Sequence, residues 1–382
     1  MEKKKLLITT DSFFPKIDGT SRFVLEIIPF LKKHFDITII APDYRQIYKG
    51  EKLPKIKDVN LITIPLSWFG FGDYRAAKFK FFKVMNEVKK NDIIFVNVSG
   101  AIGSAAILSA KLFGKPIVNL VHVLEWEYIP RSISLNWLRR PMQIISTLYG
   151  KFLYNLSDLL IVPTEEVAAK LSSRGIIAPK TIATLGVDTK KFSPPKNKHS
   201  QKKKYKLEDY FVIGYCSRLS REKDPETVLK AFRILYPKYK DMRLLVIGDG
   251  LEEFKEKFRK GKNVIYLGKK TNVEEYYKLM DVFYFTSLTE TTGFVILEAM
   301  SCALPVISTN VGIANFAIKN GKNGFIINKK DYLELAKATE KLYKDRTLRE
   351  DIGKKARKTI LEDFSFEKSA SKIREILSNF ID

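Results

Sequence analysis

Short runs rich in Ile, Val and Leu alternate with longer amphipathic stretches, and the alternation happens twice. In the first half the apolar runs fall at 5–9, 37–41, 61–65, 92–98, 116–121 and 159–163. Helical patterns lie between them at 21–33, 75–90, 103–113, 135–155 and 164–173. Near-continuous apolar runs of this length suit parallel strands buried on both faces. Strands separated by helices imply right-handed βαβ units and a doubly wound sheet.

The second half repeats the pattern. Strands are predicted at 211–216, 243–247, 264–267, 281–285, 305–309 and 324–327, with helices at 224–236, 251–259, 273–280, 293–302 and 331–344. Asp224-Pro225 suits a helix start, with Asp capping and Pro at the first helical position. Between the halves, Phe192-Ser193-Pro194-Pro195 leads into a polar, Lys-rich stretch at 196–206 that reads as a linker. The expected architecture is α/β: two Rossmann-like, doubly wound domains facing across a cleft. The boundaries fall at 1–195 and 196–364, and a terminal helix at 365–382 is expected to pack back toward the first domain. Ligands of open α/β sheets bind beyond the carboxyl ends of the strands, so functional residues are sought there.

Composition narrows the partners. The 382 residues carry 67 Lys and Arg against 43 Asp and Glu, a net charge of +24. That excess points to an anionic partner: nucleic acid, a phosphorylated metabolite or an acidic lipid surface. Two cysteines, Cys216 and Cys302, make no disulfide framework and fit a reducing compartment, and three histidines argue against a His-rich metal site. The apolar residues 6–9 are too few for a signal core, and no run reaches the roughly 20 residues of a membrane span.

Four segments carry candidate chemistry. The loop after the first strand, Asp11 to Thr20, contains Gly19 just before a helix. It is either a ligand loop or a tight strand–helix turn. His122 follows the strand at 116–121, placed either to carry a proton and donate a hydrogen bond or to sit as a structural histidine. Arg218 and Lys223 lie between the first strand and first helix of the second half. They offer fixed positive charge to a diphosphate, or form a solvated charge run. The fourth segment is Thr289-Glu290-Thr291-Thr292-Gly293-Phe294-Val295-Ile296-Leu297-Glu298. Gly293, Phe294 and Val295 would present helix-start N–H groups to phosphate. Glu290 can accept from sugar hydroxyls. Glu298, beside the apolar run 294–297, suits a ribose diol.

The last segment, continuing through Ala299-Met300-Ser301-Cys302-Ala303-Leu304-Pro305-Val306, resembles the carboxy-domain pattern of family 4 retaining glycosyltransferases of the GT-B fold. Ser217-Arg218-Leu219-Ser220-Arg221-Glu222-Lys223 is similar to that family's G-R-L-x-x-E-K. Gly186-Val187-Asp188 through Pro194 resembles its linker, and Gly248-Asp249-Gly250 its G-D-G turn. Thr-Glu-Thr-x-Gly-Phe-Val is nearest to sulfoquinovosyl-lipid synthases, among glycolipid-forming members that include mannosyl-lipid synthases. The resemblance implies an amino-terminal acceptor domain and a carboxy-terminal donor domain. It implies that Arg218 and Lys223 bind the donor diphosphate, with Phe294 and Val295 amides completing the site. Glu298 would hold the ribose, Glu290 the transferred sugar, and His122 would face that sugar. Gly19 would let the amino-domain loop close on the site.

The donor implied is a nucleotide sugar such as a UDP-sugar or GDP-mannose, with no further cofactor. No Asp-x-Asp occurs in the chain, so cations from Arg218, Lys223 and helix N-termini are expected in place of a metal. Retention is pictured as front-face displacement, with the leaving diphosphate as base. For the acceptor, Trp68, Phe69 and Phe71 crowd a glycine-rich loop that runs into lysines 78, 80 and 83 on a predicted helix at 75–90. That helix either lies on anionic lipid or packs a stripe of Phe81, Met85 and Val88 on its sheet. The expectation is a lipid or lipid-linked acceptor and a cytoplasmic enzyme peripheral on the inner membrane face. The alternatives are a soluble acceptor, a sugar-nucleotide 2-epimerase, or a nucleic-acid-binding protein. The last is disfavoured because no recognition motif appears.

Overall fold

Leu6, Leu7 and Ile8 have no exposed surface. Their strand, Lys4–Thr9, runs through the middle of an eight-stranded sheet in the computed structural model. Residues 3–16, 18–53, 56–71, 74–132, 136–290 and 292–380 are described. In spatial order the first sheet is Tyr74–Ala77, Val59–Phe71, Phe35–Asp43, Lys4–Thr9, Ile93–Val96, Ile117–Leu120, Leu159–Val162 and Lys180–Ile182. All pairings are parallel except that between Val59–Phe71 and Tyr74–Ala77. The helices Phe81–Lys90 and Ala101–Leu112 pack Val84, Val88, Ile102 and Ala106 onto Leu7, Ile94 and Ile117.

The second sheet has six strands in the order Val264–Tyr266, Met242–Ile247, Phe211–Cys216, Val282–Phe285, Val306–Thr309 and Phe325–Ile327, all parallel. Apolar clusters cover both of its faces. In each sheet the winding reverses beside the first strand of the unit, so the loops after Thr9 and Cys216 leave from topological switch points. With these two sheets the fold is GT-B.

The chain divides as Met1–Thr184 with Ser369–Asp382, and Leu185–Lys368. The proline-based boundary at 195/196 therefore sits eleven residues late, and the reason is long-range contact. Val187 N donates to Phe364 O and Phe366 N to Val187 O, both at 2.9 Å. Phe192 is buried in the second unit's core. Arg357 donates to Phe192 O at 2.8 Å, Ser301 O at 2.6 Å and Thr189 O at 2.9 Å. The Lys-rich stretch also has structure of its own. Lys198–Lys203 is a helix whose Lys202 is buried against Asp281 at 2.5 Å and Tyr210 O at 2.7 Å. Arg357→Ala should lower unfolding stability by about 2–4 kcal/mol, because several half-buried carbonyls lose their donor together. Urea unfolding checks this; a change within error would show that the clamp is not energetically significant.

The aromatic segment also differs from expectation. The strand predicted at 61–65 extends over Val59–Phe71 and turns back antiparallel through Tyr74–Ala77, pairing Leu66 with Ala77 and Gly70 with Arg75. The following helix starts only at Phe81, so Lys78 precedes it, Lys80 is its N-cap residue, and Lys83 lies within it with Nζ 3.1 Å from Thr63 O. Strand pairing at the sheet edge has overridden the helical periodicity of 75–80. Val84 and Val88 are buried with Phe81 packed beside them, so the face that meets the sheet runs through Val84 and not, as predicted, through the half-buried Met85. Trp68 is 90 % exposed, and Phe69, Phe79 and Phe82 are exposed as well. The Phe71 side chain and residues 72–73 lie outside the described residues. Among the described residues no helix is long and apolar enough to cross a membrane.

Candidate functional site

In the second unit the loop after Phe211–Cys216 is shaped from beneath by the turn Gly248-Asp249-Gly250. Leu219 N donates to Asp249 O at 2.9 Å, and Leu251 N to Leu219 O at 2.8 Å. A Cβ on Gly248 would run into the Ser217 carbonyl, which is why the turn needs glycine there. Arg218 stands exposed on this loop. Lys223 is anchored by its own carbonyl, which accepts from Tyr215 at 3.1 Å and Thr286 at 3.0 Å. Asp224, at φ 48°, then caps the helix Pro225–Leu235.

The half-buried Lys223 ammonium forms an ion pair with Glu290. The sequence assigned these residues to different parts of a ligand; the fold joins them. Gly293, at φ 83°, starts the helix Phe294–Ser301, a left-handed conformation that favours glycine. Helix geometry turns the first amides, those of Phe294 and Val295, toward that N-terminus without intrahelical partners. Thr291 lies outside the described residues.

Glu298, one turn further in, is buried, and the Tyr277 hydroxyl donates to its Oε2 at 2.9 Å. Burial, with the Glu298 charge adding to it, holds the Tyr277 hydroxyl well above its ordinary pKa, so it stays a donor. Nothing in the sequence pointed to Tyr277. Its partner is 21 residues away and the contact is made only by folding. Tyr277→Phe should weaken binding of a ribonucleoside diphosphate by about 1–2 kcal/mol. A 2′-deoxy analogue should lose less, and calorimetry on the pair tests this. Equal losses on both would mean that Tyr277 only packs.

The first unit gathers a second set of polar groups at the carboxyl ends of Lys4–Thr9, Ile93–Val96 and Ile117–Leu120. Gly19 is the exposed first residue of the helix Gly19–Leu31, capped by Asp18. Burial would raise the Asp18 carboxyl. Donors from Ser12, Thr20 and Ser21, with Lys16 nearby, outweigh it and hold the pKa below the usual range.

His122 is buried with Nε2 2.7 Å from Asn97 Oδ1. The Asn97 amide is oriented by donating to Thr10 Oγ1 at 3.1 Å and Thr20 O at 3.3 Å. Nε2 must therefore carry the proton, which makes Nδ1 an acceptor. Burial depresses the His122 pKa to about 4 despite Asp18, so the ring is neutral at physiological pH. Its Nδ1 can accept a hydrogen bond from a hydroxyl, and a ring with so low a pKa carries no second proton to give up as an acid.

Two carboxylates that the sequence reading passed over lie in the same region. Asp11 accepts from Ile102 N at 2.9 Å and Gly103 N at 3.0 Å, and burial pushes it up to about 6. Glu125 accepts from Tyr154 at 2.6 Å and is pushed up to about 7, again by burial. Its Oε2 has no partner among the described residues. Glu125 is three residues past His122, and that spacing was the available signal.

Comparison with known proteins then decides the family. Residues 17–191 match Glycosyltransferase Family 4 and residues 197–359 match Glycosyl transferases group 1. The chain belongs to glycosyltransferase family 4. The enzyme is 25 % identical to the capsular polysaccharide biosynthesis glycosyltransferase CapM of Staphylococcus aureus over all of this chain and 98 % of that one. It is 31 % identical to the sulfoquinovosyl transferase SQD2 of Arabidopsis thaliana, over 76 % of this chain and 58 % of that one. With the alpha-monoglucosyldiacylglycerol synthase of Streptococcus pneumoniae it shares 27 % identity, over 78 % and 69 % of the two chains. Among solved structures, Anabaena HepE in complex with UDP and glucose superposes with a TM-score of 0.79 at 19 % identity, covering 98 % of this chain and 99 % of that one.

Proposed function

We propose that the enzyme transfers a sugar from a nucleoside diphosphate sugar to a hydroxyl of a lipid or lipid-linked acceptor, with retention of anomeric configuration. The observation that carries this reading is the Lys223–Glu290 pair beside the helix start at Gly293. A diphosphate arriving at Arg218, Lys223 and the amides of Phe294 and Val295 competes with Glu290 for Lys223. The displaced carboxylate then becomes available to the sugar hydroxyls, so donor binding prepares Glu290 for its task. Glu298, aimed by Tyr277, takes the ribose. In the first unit, neutral His122 can accept from a hydroxyl through Nδ1, and the Gly19 helix start offers amides to an anion.

The acceptor oxygen attacks the anomeric carbon on the face from which the diphosphate departs. One C–O bond forms as the other breaks, and the acceptor proton passes to the leaving phosphate oxygen. Arg218, Lys223 and helix amides meet the developing negative charge without a bridging metal.

The lipid acceptor is supported by the similarity to a monoglucosyldiacylglycerol synthase and by the exposed Trp68 and Phe69 on the edge strand whose antiparallel partner leads into Lys78, Lys80 and Lys83. The test is transfer from UDP- and GDP-sugars to diacylglycerol in anionic vesicles, with the product anomer read by NMR. An inverted product overturns retention, and transfer only to soluble hydroxyls overturns the lipid acceptor. Replacing Lys78, Lys80 and Lys83 together by Glu should weaken binding to acidic vesicles at low salt and leave nucleotide binding intact.

A further inference from the structure

The helix Asn136–Asn155 is apolar on two opposite faces. Ser146, Gly150, Leu153 and Tyr154 are buried inward, with Gly150 against the Trp126 ring. On the outward side Trp137 is 73 % exposed, Leu148 62 %, and Ile144, Ile145 and Phe152 each 56 %. At 3.6 residues per turn these five fall within an arc of about 100°. A helix apolar all round belongs in a core or a membrane, and this one has its inward face in the core and its outward face on the surface. A patch of this kind calls for a partner. The loop at its end adds to it: Asn155 Oδ1 accepts from Ile177 N at 2.7 Å, and Ile177 is also exposed.

Charge selects the partner. The helix contains Arg139, Arg140 and Lys151 and no Asp or Glu. By the same periodicity, Arg140 and Lys151 line one edge of the stripe. A second copy seated on this face would bring cationic edges together with no acid on the helix to receive them. An anionic bilayer offers phosphates at the height of Arg140 and Lys151 and hydrocarbon beneath Trp137, Leu148 and Phe152.

We infer that the outward face of Asn136–Asn155 inserts into an anionic lipid surface and is the apolar anchor of the enzyme. This rests on the reading that the enzyme works at a membrane, but it assigns the salt-resistant part of binding to this helix rather than to the lysines near Trp68.

The test is flotation of the full chain with vesicles of phosphatidylglycerol and phosphatidylcholine, at low and high salt, alongside size-exclusion chromatography. Ile144→Glu/Leu148→Glu, both exposed and outside the site, should keep UDP binding and lose at least tenfold in vesicle partition at high salt. In a Trp68→Phe background, lipids brominated along the chain should quench Trp137 fluorescence. Unchanged partition of the double variant with unquenched Trp137 overturns the helix as anchor while leaving the membrane reading standing. A wild type that ignores anionic vesicles at low salt overturns both. A wild-type dimer that the double variant dissolves shows that the face belongs to a second copy and overturns the inference.

Discussion

Arg218→Ala is expected to weaken binding of a nucleoside diphosphate by about 2–4 kcal/mol, since one charge-assisted contact to phosphate is removed and no neighbouring group replaces it. The fold should be untouched. The side chain is exposed, and backbone bonds to Asp249 and Leu251 shape the loop that carries it. Lys is a poor substitute here, because a point charge on a flexible stem lacks the planar fork. Arg218→Lys should therefore recover only part of the loss. Calorimetry with UDP and GDP reads both variants, and an unchanged affinity for Arg218→Ala removes this residue from the site.

The two glutamates should fail in different ways, and their surroundings say why. Glu290→Ala frees Lys223 from its ion pair. Nucleotide affinity should therefore hold or rise slightly, while kcat falls by about 100- to 1,000-fold, because the group proposed to meet the sugar in the transition state is gone. Glu298→Gln keeps a hydrogen-bond acceptor for the Tyr277 hydroxyl but loses the negative charge proposed to receive a ribose diol. It should weaken nucleotide binding with a smaller effect on turnover of bound donor. Alanine at 298 is a poorer probe: the buried Tyr277 hydroxyl would lose its partner, costing about 1–3 kcal/mol of stability on its own. Single-turnover rates measured beside binding constants separate the two. Identical profiles would mean that the residues do not divide the donor between them.

Most of the second unit was legible because its information is local. Parallel strands announce themselves as Ile/Val runs, Asp224-Pro225 marks a helix start, and the residues that close the site sit on two loops. What stayed hidden is nonlocal. Arg357 reaches back 165 residues to hold Phe192, so no window of sequence could reveal that 187–192 belongs to the second unit. The strand Val59–Phe71 outruns its apolar stretch because an antiparallel neighbour pairs with it. Asp11 entered only as the start of a candidate loop and Glu125 not at all; their burial depends on how strand ends and helices meet. The doubly apolar helix at Asn136–Asn155 was visible as a helix. Which of its faces would be left outside depended on where the sheet lay.

Phe192 has one more neighbour of consequence. Its ring stands edge-on to Tyr277 with centroids 5.8 Å apart, and Tyr277 is the residue that grips Glu298. A stretch that by composition resembles a spacer is thus the outer wall behind the carboxylate proposed to take the ribose. Chimeras that exchange donor halves between relatives at the proline pair would graft one protein's wall onto another's Tyr277–Glu298 pair. A splice before Val187, which keeps wall and carboxylate from the same parent, is the graft that should carry donor choice with it intact.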